Sequence, residues 1–242
     1  MKLQVKDVSI TFENKKILEH LSLDVKEGEF VAIIGPSGSG KSTLLNILAG
    51  ILTPETGAVT VDGELVKGVT DHFAYMPQSD LLLPWKTIME NVTLYGQLHG
   101  QKKEAMEKAK KEFSVFGLQG YEDAFPEELS GGMRQRAAFL RTALCSADIM
   151  LLDEPFGALD VITRNEMQDW LLKLRSELGR TTLLVTHDIE EAMYLADRIV
   201  MLGGRPAAVA REINLSGIEK SRDWLYEQSD LRKEIQRLLK ND

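Results

Sequence analysis

The residues best equipped for chemistry lie in the run Gly35-Pro36-Ser37-Gly38-Ser39-Gly40-Lys41-Ser42-Thr43. Its glycines let the backbone curl so that several N–H groups point inward, and a helix opening at its end adds partial positive charge. That is a phosphate site. Lys41 is spaced to reach β- and γ-phosphates and the Ser42 hydroxyl to ligate Mg²⁺, as the pattern G-x-x-x-x-G-K-[ST] requires. A second group, Asp153-Glu154, closes the apolar run Ile149-Met150-Leu151-Leu152. Two carboxylates ending a buried run need a cation or a reaction to justify them. Asp153 suits a Mg²⁺ shell, and Glu154 suits polarising a water.

Three further polar positions follow apolar runs or open helices. Gln78 comes just after Phe73-Ala74-Tyr75-Met76-Pro77, and His187 just after Thr181-Thr182-Leu183-Leu184-Val185-Thr186. Polar residues at the carboxyl ends of strands in an α/β sheet face the ligand crevice, which favours a γ-phosphate contact for His187. Ser130-Gly131-Gly132 opens a helix whose apolar stripe is Met133, Ala137, Leu140 and Leu144. Ser130 is a natural N-cap, and the two glycines leave the first N–H groups open, making a second anion-ready helix end. Phe12 is a ring that either stacks on adenine or fills a sheet core, and its own neighbourhood does not decide between the two.

These positions need elements to hold them. Alternation from Lys2 to Phe12, and again at Leu21, Leu23 and Val25, predicts antiparallel strands ahead of the phosphate loop. Phe30-Val31-Ala32-Ile33-Ile34 predicts a buried strand into the loop, and Leu44 to Ala49 a helix out of it, ended at Gly50. Ala58 to Asp62 reads as a strand. From Asp80 to about Leu140 the pattern turns helical, with helices from Thr87 and from Gln101 to Phe116. At its entrance, Leu81-Leu82-Leu83-Pro84-Trp85 reads as packing, any exposed part being a docking surface. A helix through Met167, Trp170, Leu171 and Leu174 ends near Gly179; Ile199–Leu202 and Ala208–Ile213 flank a hairpin. The tail from Ser221 reads as an amphipathic helix.

The 242 residues carry 43% hydrophobic and 27% charged side chains, an ordinary globular composition. No apolar run approaches the ~20 residues of a membrane span, and Lys2 and Lys6 interrupt any signal-like start, so a soluble, cytoplasmic chain is expected. A net charge of −8 argues against a dedicated nucleic-acid binder. The densest basic stretch, Lys102 to Lys111, is interleaved with Glu104 and Glu107 and reads as a solvated helix face. The one cysteine, Cys145, reads as a small buried thiol in a reducing compartment. His20, His72 and His99 read as ordinary.

In this order the motifs resemble the nucleotide-binding subunit of ABC transporters over nearly the whole chain. The Walker A loop falls on Gly35 to Thr43, Walker B on Ile149 to Asp153, and the catalytic glutamate on Glu154. The stacking aromatic falls on Phe12, the Q-loop on Gln78, the D-loop on Ala158-Leu159-Asp160 and the switch histidine on His187. The signature is Leu129-Ser130-Gly131-Gly132, followed by Met133 where many members have Gln. The resemblance implies ATP and Mg²⁺ as cofactors. It implies catalytic roles for Glu154, His187 and Lys41, metal contacts from Ser42, Gln78 and Asp153, and nucleotide contacts from the loop, Phe12, Gln78, Ser130, Gly131, Gly132 and Asp160.

It also implies a head-to-tail homodimer with ATP at the interface. Two integral membrane permease subunits, an extracytoplasmic substrate-binding protein and a position on the cytoplasmic face of the membrane go with it; nucleic acid does not. The implied fold is α/β, a P-loop NTPase with a mixed sheet, helices on both faces, an N-terminal antiparallel β subdomain and an inserted helical subdomain. One domain would span 1–242: about 1–79 and 141–215 as core, about 80–140 as the helical insertion and about 216–242 as a helical tail. Leu83-Pro84-Trp85-Lys86-Thr87-Ile88, Met133-Arg134-Gln135-Arg136 and the stretch from Asp153 to Asp160 with Thr163-Arg164 look like the importer branch serving nitrate, sulfonate, taurine and thiamine-pyrimidine precursors. The alternative is a soluble ABC-type ATPase acting on nucleic acid or the ribosome. Such relatives usually carry coiled-coil insertions, zinc motifs or fused ATPase domains, and this sequence has none. A P-loop kinase or GTPase would leave the Ser130 corner and His187 without a role.

Overall fold

Apolar residues alternate at the start of the chain and later gather into short unbroken runs, and the elements follow that change. A computed structural model describes residues 1–241; Asp242, the last residue of the expected tail, lies outside them. Strands β1 (Leu3–Phe12) and β2 (Lys15–Val25) precede β3 (Phe30–Ile34) and helix α1 (Lys41–Leu48). Then come β4 (Thr56–Val61), β5 (Glu64–Leu65), β6 (Phe73–Met76), α2 (Ile88–Val92), α3 (Leu94–Leu98), α4 (Lys102–Phe113) and α5 (Gly131–Ala143). The second half holds β7 (Ile149–Asp153), α6 (Val161–Leu178), β8 (Thr181–Val185), α7 (Ile189–Leu195), β9 (Arg198–Gly203), β10 (Ala208–Asn214), α8 (Arg222–Glu227) and α9 (Ser229–Asn241).

The alternating strands build an antiparallel sheet in the order β2-β1-β4-β5. The unbroken runs build a six-stranded sheet, β10-β9-β3-β8-β7-β6, parallel except for β10. Every residue of β3, β7 and β8 is buried, so both faces must be covered, as parallel strands require. Side chains sort by parity. Val31, Ile33, Leu151, Leu183 and Val185 pack with α1 and the antiparallel sheet. Phe30, Ala32, Ile34, Met150, Leu152 and Leu184 pack on the other face with α5, α6 and α7. The class is α/β with helices on both faces, as the sequence suggested, though one face owes most of its cover to the second sheet.

An aromatic cluster ties the helical segment to the sheet. Phe139 of α5 lies edge-to-face with Phe116, Phe156 and Trp170 at centroid distances of 6.0, 5.7 and 5.6 Å. Such pairs add about 0.5–1.5 kcal/mol each beyond their buried area. The cluster therefore fixes α5, and the Ser130 corner at its start, against the end of β7.

Three expectations need correction. The Leu81–Trp85 cluster is not simply packing. Leu82 is buried, but Leu81 and Trp85 are 61% and 71% exposed, and the backbone of the turn is held by the buried Asn91 side chain, which accepts from Leu83 N–H at 2.7 Å. The tail is two helices. Ser221 caps α8 through Trp224 N–H, and the break at Gln228 lets Leu225 and Ile235 both reach the core. Cys145 is half-buried rather than buried, its thiol directed at the Arg141 carbonyl.

Gly50, just past α1, has φ +73°, and a Cβ there would stand 1.8 Å from the Gly68 carbonyl oxygen. Gly63 has φ +85° with open space around it. Left-handed backbone costs a non-glycine residue roughly 1–2 kcal/mol. In urea unfolding, Gly63→Ala should lose about that much and Gly50→Ala clearly more, since the clash with backbone adds to the strain.

Candidate functional site

Four neighbouring parallel strands deliver four functional positions to one edge. Their registers align Met76 with Leu152, Asp153 with Val185, and Ile33 with Val185. Gln78, Glu154, His187 and the Gly35 loop therefore emerge side by side. Two backbone bonds continue the sheet past its last paired residues: Glu154 N–H to Val185 O at 2.9 Å and Thr186 N–H to Ile33 O at 3.2 Å. Glu154 sits at φ +48°, a region a non-glycine residue adopts only where its surroundings impose it.

A cavity of about 400 Å³ opens at this edge, lined by Phe12, Ile17, Ser37, Gly38, Gly40, Lys41, Ser42, Thr43, Gln78 and Glu154. Gly35, Pro36 and Ser39 form the underside of the loop. A Cβ on Gly35 would lie 2.7 Å from the Leu202 carbonyl oxygen, which explains the glycine. Helix α1 starts at Lys41, three residues earlier than the apolar pattern suggests. Its N-cap, Gly40, has φ +81° and offers no side-chain cap, so first-turn N–H groups are free for a ligand. The Ser39 hydroxyl is buried without a hydrogen-bond partner. Free helix N–H groups and a nearby ammonium fit a polyphosphate.

The Lys41 ammonium donates to the Gly35 and Pro36 carbonyls, both at 2.9 Å. Burial lowers its pKa, while Glu154 and Asp153 pull it up. Asp153 is buried behind the cavity. Burial raises its pKa and the Glu154 charge adds to that, while a hydrogen bond from Ser42 and the Lys41 charge act the other way. A hydroxyl beside a buried carboxylate, at the mouth of a phosphate cradle, is a donor set suited to Mg²⁺.

The Glu154 carboxylate is gripped from two sides: Gln78 Nε2 donates to Oε2 at 3.1 Å, and His187 Nδ1 lies 3.2 Å from Oε1. Beneath His187, Thr186 Oγ1 donates to the buried Glu191 at 2.7 Å and accepts from Asp188 N–H at 3.0 Å. Arg164 approaches the same place from α6, with Nη1 3.5 Å from Asp188 and Nε 3.8 Å from Glu191. Burial above all, with the Asp188 charge adding to it, holds Glu191 up at about 7 against the lowering pull of the Thr186 bond, Arg164 and His187. Ile17, Arg164 and Glu191 were not singled out for these positions by sequence reasoning. Acids in the first turn of α7, facing an arginine that follows Asp160, were the available signal.

The Ser130 corner and Asp160 are not at this cavity. Ser130 is exposed and caps α5 by accepting from Met133 N–H at 3.3 Å. Asp160 caps α6, accepting from Ile162 N–H and Thr163 N–H at 3.1 Å each. Within one chain neither meets the phosphate loop.

The family profile described as ABC transporter matches residues 18–157. The chain belongs to the ABC transporter family. It is similar to the formylaminopyrimidine import ATP-binding protein ThiZ of Halalkalibacterium halodurans, 42% identical over 98% of this chain and 96% of that one. It is 40% identical to the nitrate import ATP-binding protein NrtD of Synechocystis, over 91% and 86%. Among solved structures, a dimeric ATP-binding cassette in a post-hydrolysis state with ADP and Pi superposes with a TM-score of 0.79 and 33% identity, over 89% and 100%. With that family and this P-loop architecture, the chain is an ATPase cassette.

A carboxyl whose folded pKa stands above its unfolded value makes the folded state bind more protons between the two. For Glu191 that window runs from the ordinary 4.5 to about 7. Its contribution to stability is complete below 4.5 and is lost as pH rises through 7. Glu191→Gln, which keeps the shape without the charge, should flatten the fall in melting temperature across that window. An unchanged slope would remove Glu191 as its source.

Proposed function

We propose that this chain is the ATP-binding and ATP-hydrolysing subunit of an importer, acting as a head-to-tail pair beneath two membrane permease subunits. The observation that carries the pairing is Gly131. It opens α5 and, as glycine, gives up more backbone freedom on folding than any other residue, yet a Cβ here would meet only Arg134 Nη2, at 3.9 Å. The described residues give it no internal reason to be glycine. A close ligand supplied from outside does, and the open phosphate cavity of a second copy offers one.

In this reading Lys41 and the N–H groups around Gly38, Gly40, Ser42 and Thr43 hold the phosphates, and Phe12 faces the adenine. Ser42, Asp153 and Gln78 hold Mg²⁺, which when bound neutralises charge on the β- and γ-phosphates. Glu154 positions and deprotonates the attacking water, with His187 and Gln78 fixing its carboxylate and His187 reaching the γ-phosphate. The partner's Ser130, the partner's Gly131 and the partner's Gly132, with the partner's Asp160 close by, finish the pocket. The segment 80–140 acts as a helical subdomain that carries this corner, and the exposed Leu81 and Trp85 at its entrance form the permease contact.

Relatives named for nitrate and for formylaminopyrimidine import match this chain almost equally. Solutes so unlike each other support solute recognition by other subunits, the permeases and an external binding protein. The described residues include no helix long and apolar enough to cross a membrane, so attachment at the cytoplasmic face would run through the permeases. Capture of membrane proteins by the chain, together with loss of one solute's uptake in a deletion strain, is the expected result. Recovery of RNA or DNA instead would favour a soluble ATPase acting on nucleic acid.

Glu154→Gln should bind ATP, hydrolyse it about 10²–10⁴-fold more slowly and accumulate as a dimer by light scattering. Turnover at the wild-type rate would strip Glu154 of its role as base. Lys41→Ala should weaken ATP binding about 10- to 100-fold, the worth of a charged hydrogen bond, as read by titration calorimetry.

A further inference from the structure

Arg164 is a junction. It lies in the first turn of α6, four residues beyond Asp160, and its Nη2 donates to the Leu159 carbonyl at 3.2 Å. Its Nη1 faces Asp188 at 3.5 Å and its Nε faces Glu191 at 3.8 Å, and that Nε is buried with no hydrogen-bond partner. Glu191 and Asp188 are both bonded to Thr186, the residue before His187. Two acids of α7 and its cap, together with a backbone carbonyl of the loop before α6, thus close around one guanidinium. On its far side, the Leu159 turn touches the Ser130 corner: a Cβ on Gly132 would stand 3.6 Å from both Ala158 O and Leu159 Cδ2.

We propose that Arg164 and Glu191 are positioning residues, which set the His187 turn against Glu154 and tie that setting to the Gly157–Asp160 loop. Neither touches nucleotide. Arg164 supplies a rigid planar fork, so one side chain can hold a carbonyl on the loop and two acids under the turn at fixed angles. Glu191 supplies a buried carboxylate that accepts from Thr186 through one oxygen and faces the Arg164 guanidinium through the other, so its charge holds the His187 turn to Arg164. Pressure on the Ser130 corner, as when it meets a nucleotide, reaches Leu159 and then the guanidinium. The His187 turn is the next thing the guanidinium holds. This deepens the function proposed above and rests on it.

The test uses the full chain with Mg-ATP and four variants: Arg164→Met, Arg164→Lys, Glu191→Gln and the double Arg164→Met/Glu191→Gln. Displacing a positioning contact by an ångström costs up to about a hundredfold in rate. Arg164→Met and Glu191→Gln should each lower kcat by about tenfold to a hundredfold, with KM and ATP affinity within about threefold of wild type. The double variant should be no slower than the worse single one, because both remove the same support. Arg164→Lys, which keeps the charge facing Glu191, should recover part of the loss.

Multiplicative losses in the double variant would overturn the proposal, as would kcat and ATP affinity falling together in step with the melting temperature. So would unchanged kcat in both single variants. Should Arg164→Met fail to fold, the near-isosteric Glu191→Gln carries the same kcat-against-KM comparison alone. A wild-type chain that turns over no ATP in any assembly would refute the proposed function itself. An active wild type with indifferent variants would refute only the roles of Arg164 and Glu191.

Discussion

Parallel pairing of β6, β7, β8 and β3 is the constraint on which the site depends. Strands that run the same way and keep register must end together, so whatever follows each of them shares one rim. The residues that follow are Gln78, Glu154, His187 and a phosphate-type loop. Slipping any strand by one residue would turn its side chains to the opposite face, and both faces here are packed. The registry that protects the core therefore also sets the spacing of the polar groups at the rim.

Holding that many charges together is costly unless each has a partner. Lys41, Asp153 and Glu191 are all buried, and burial is the largest influence on the pKa of each, acting in every case against the charged form. Loop carbonyls accept hydrogen bonds from the Lys41 ammonium, Ser42 donates to Asp153, and Thr186 with Arg164 serves Glu191. Glu154 is gripped by two side chains, Gln78 and His187, rather than by a lysine or arginine. A carboxylate fixed in direction from both sides is aimed to accept a proton from water.

Much of this was legible in the sequence because it depends on local rules. The phosphate loop, the three buried strands and the Ser130 cap each follow from spacing and residue type within about ten positions. What was not legible depends on contacts between distant parts of the chain. Nothing near Trp85 announces that its turn is fixed by Asn91 and leaves the ring exposed. Nothing near Gln228 shows that Leu225 and Ile235 must reach the same core from different angles. The grip of Gln78 on Glu154 joins residues 76 apart, and that of Arg164 on the His187 turn joins two helices whose crossing no periodicity reveals.

The Ser130 corner and the phosphate cavity raise the question of how one cassette could convert nucleotide binding into motion. A ligand shifts an equilibrium only by the difference in its interactions with the two states. Contacts confined to one chain would be the same whether or not a second chain were present, and would drive nothing. In the proposed pair, the N–H groups at the start of α5 meet phosphate only when the copies are together, so that set of bonds contributes wholly to closing. Ser130 accepts from Met133 N–H, so its hydroxyl proton stays free to donate, and together with the glycine N–H groups and the dipole of a 13-residue helix it would supply the closing force. Such a force acts over about one helical turn and is lost once the γ-phosphate is cleaved and moves away. A closing force that strong at contact, and that short in range, is what a reversible engine requires.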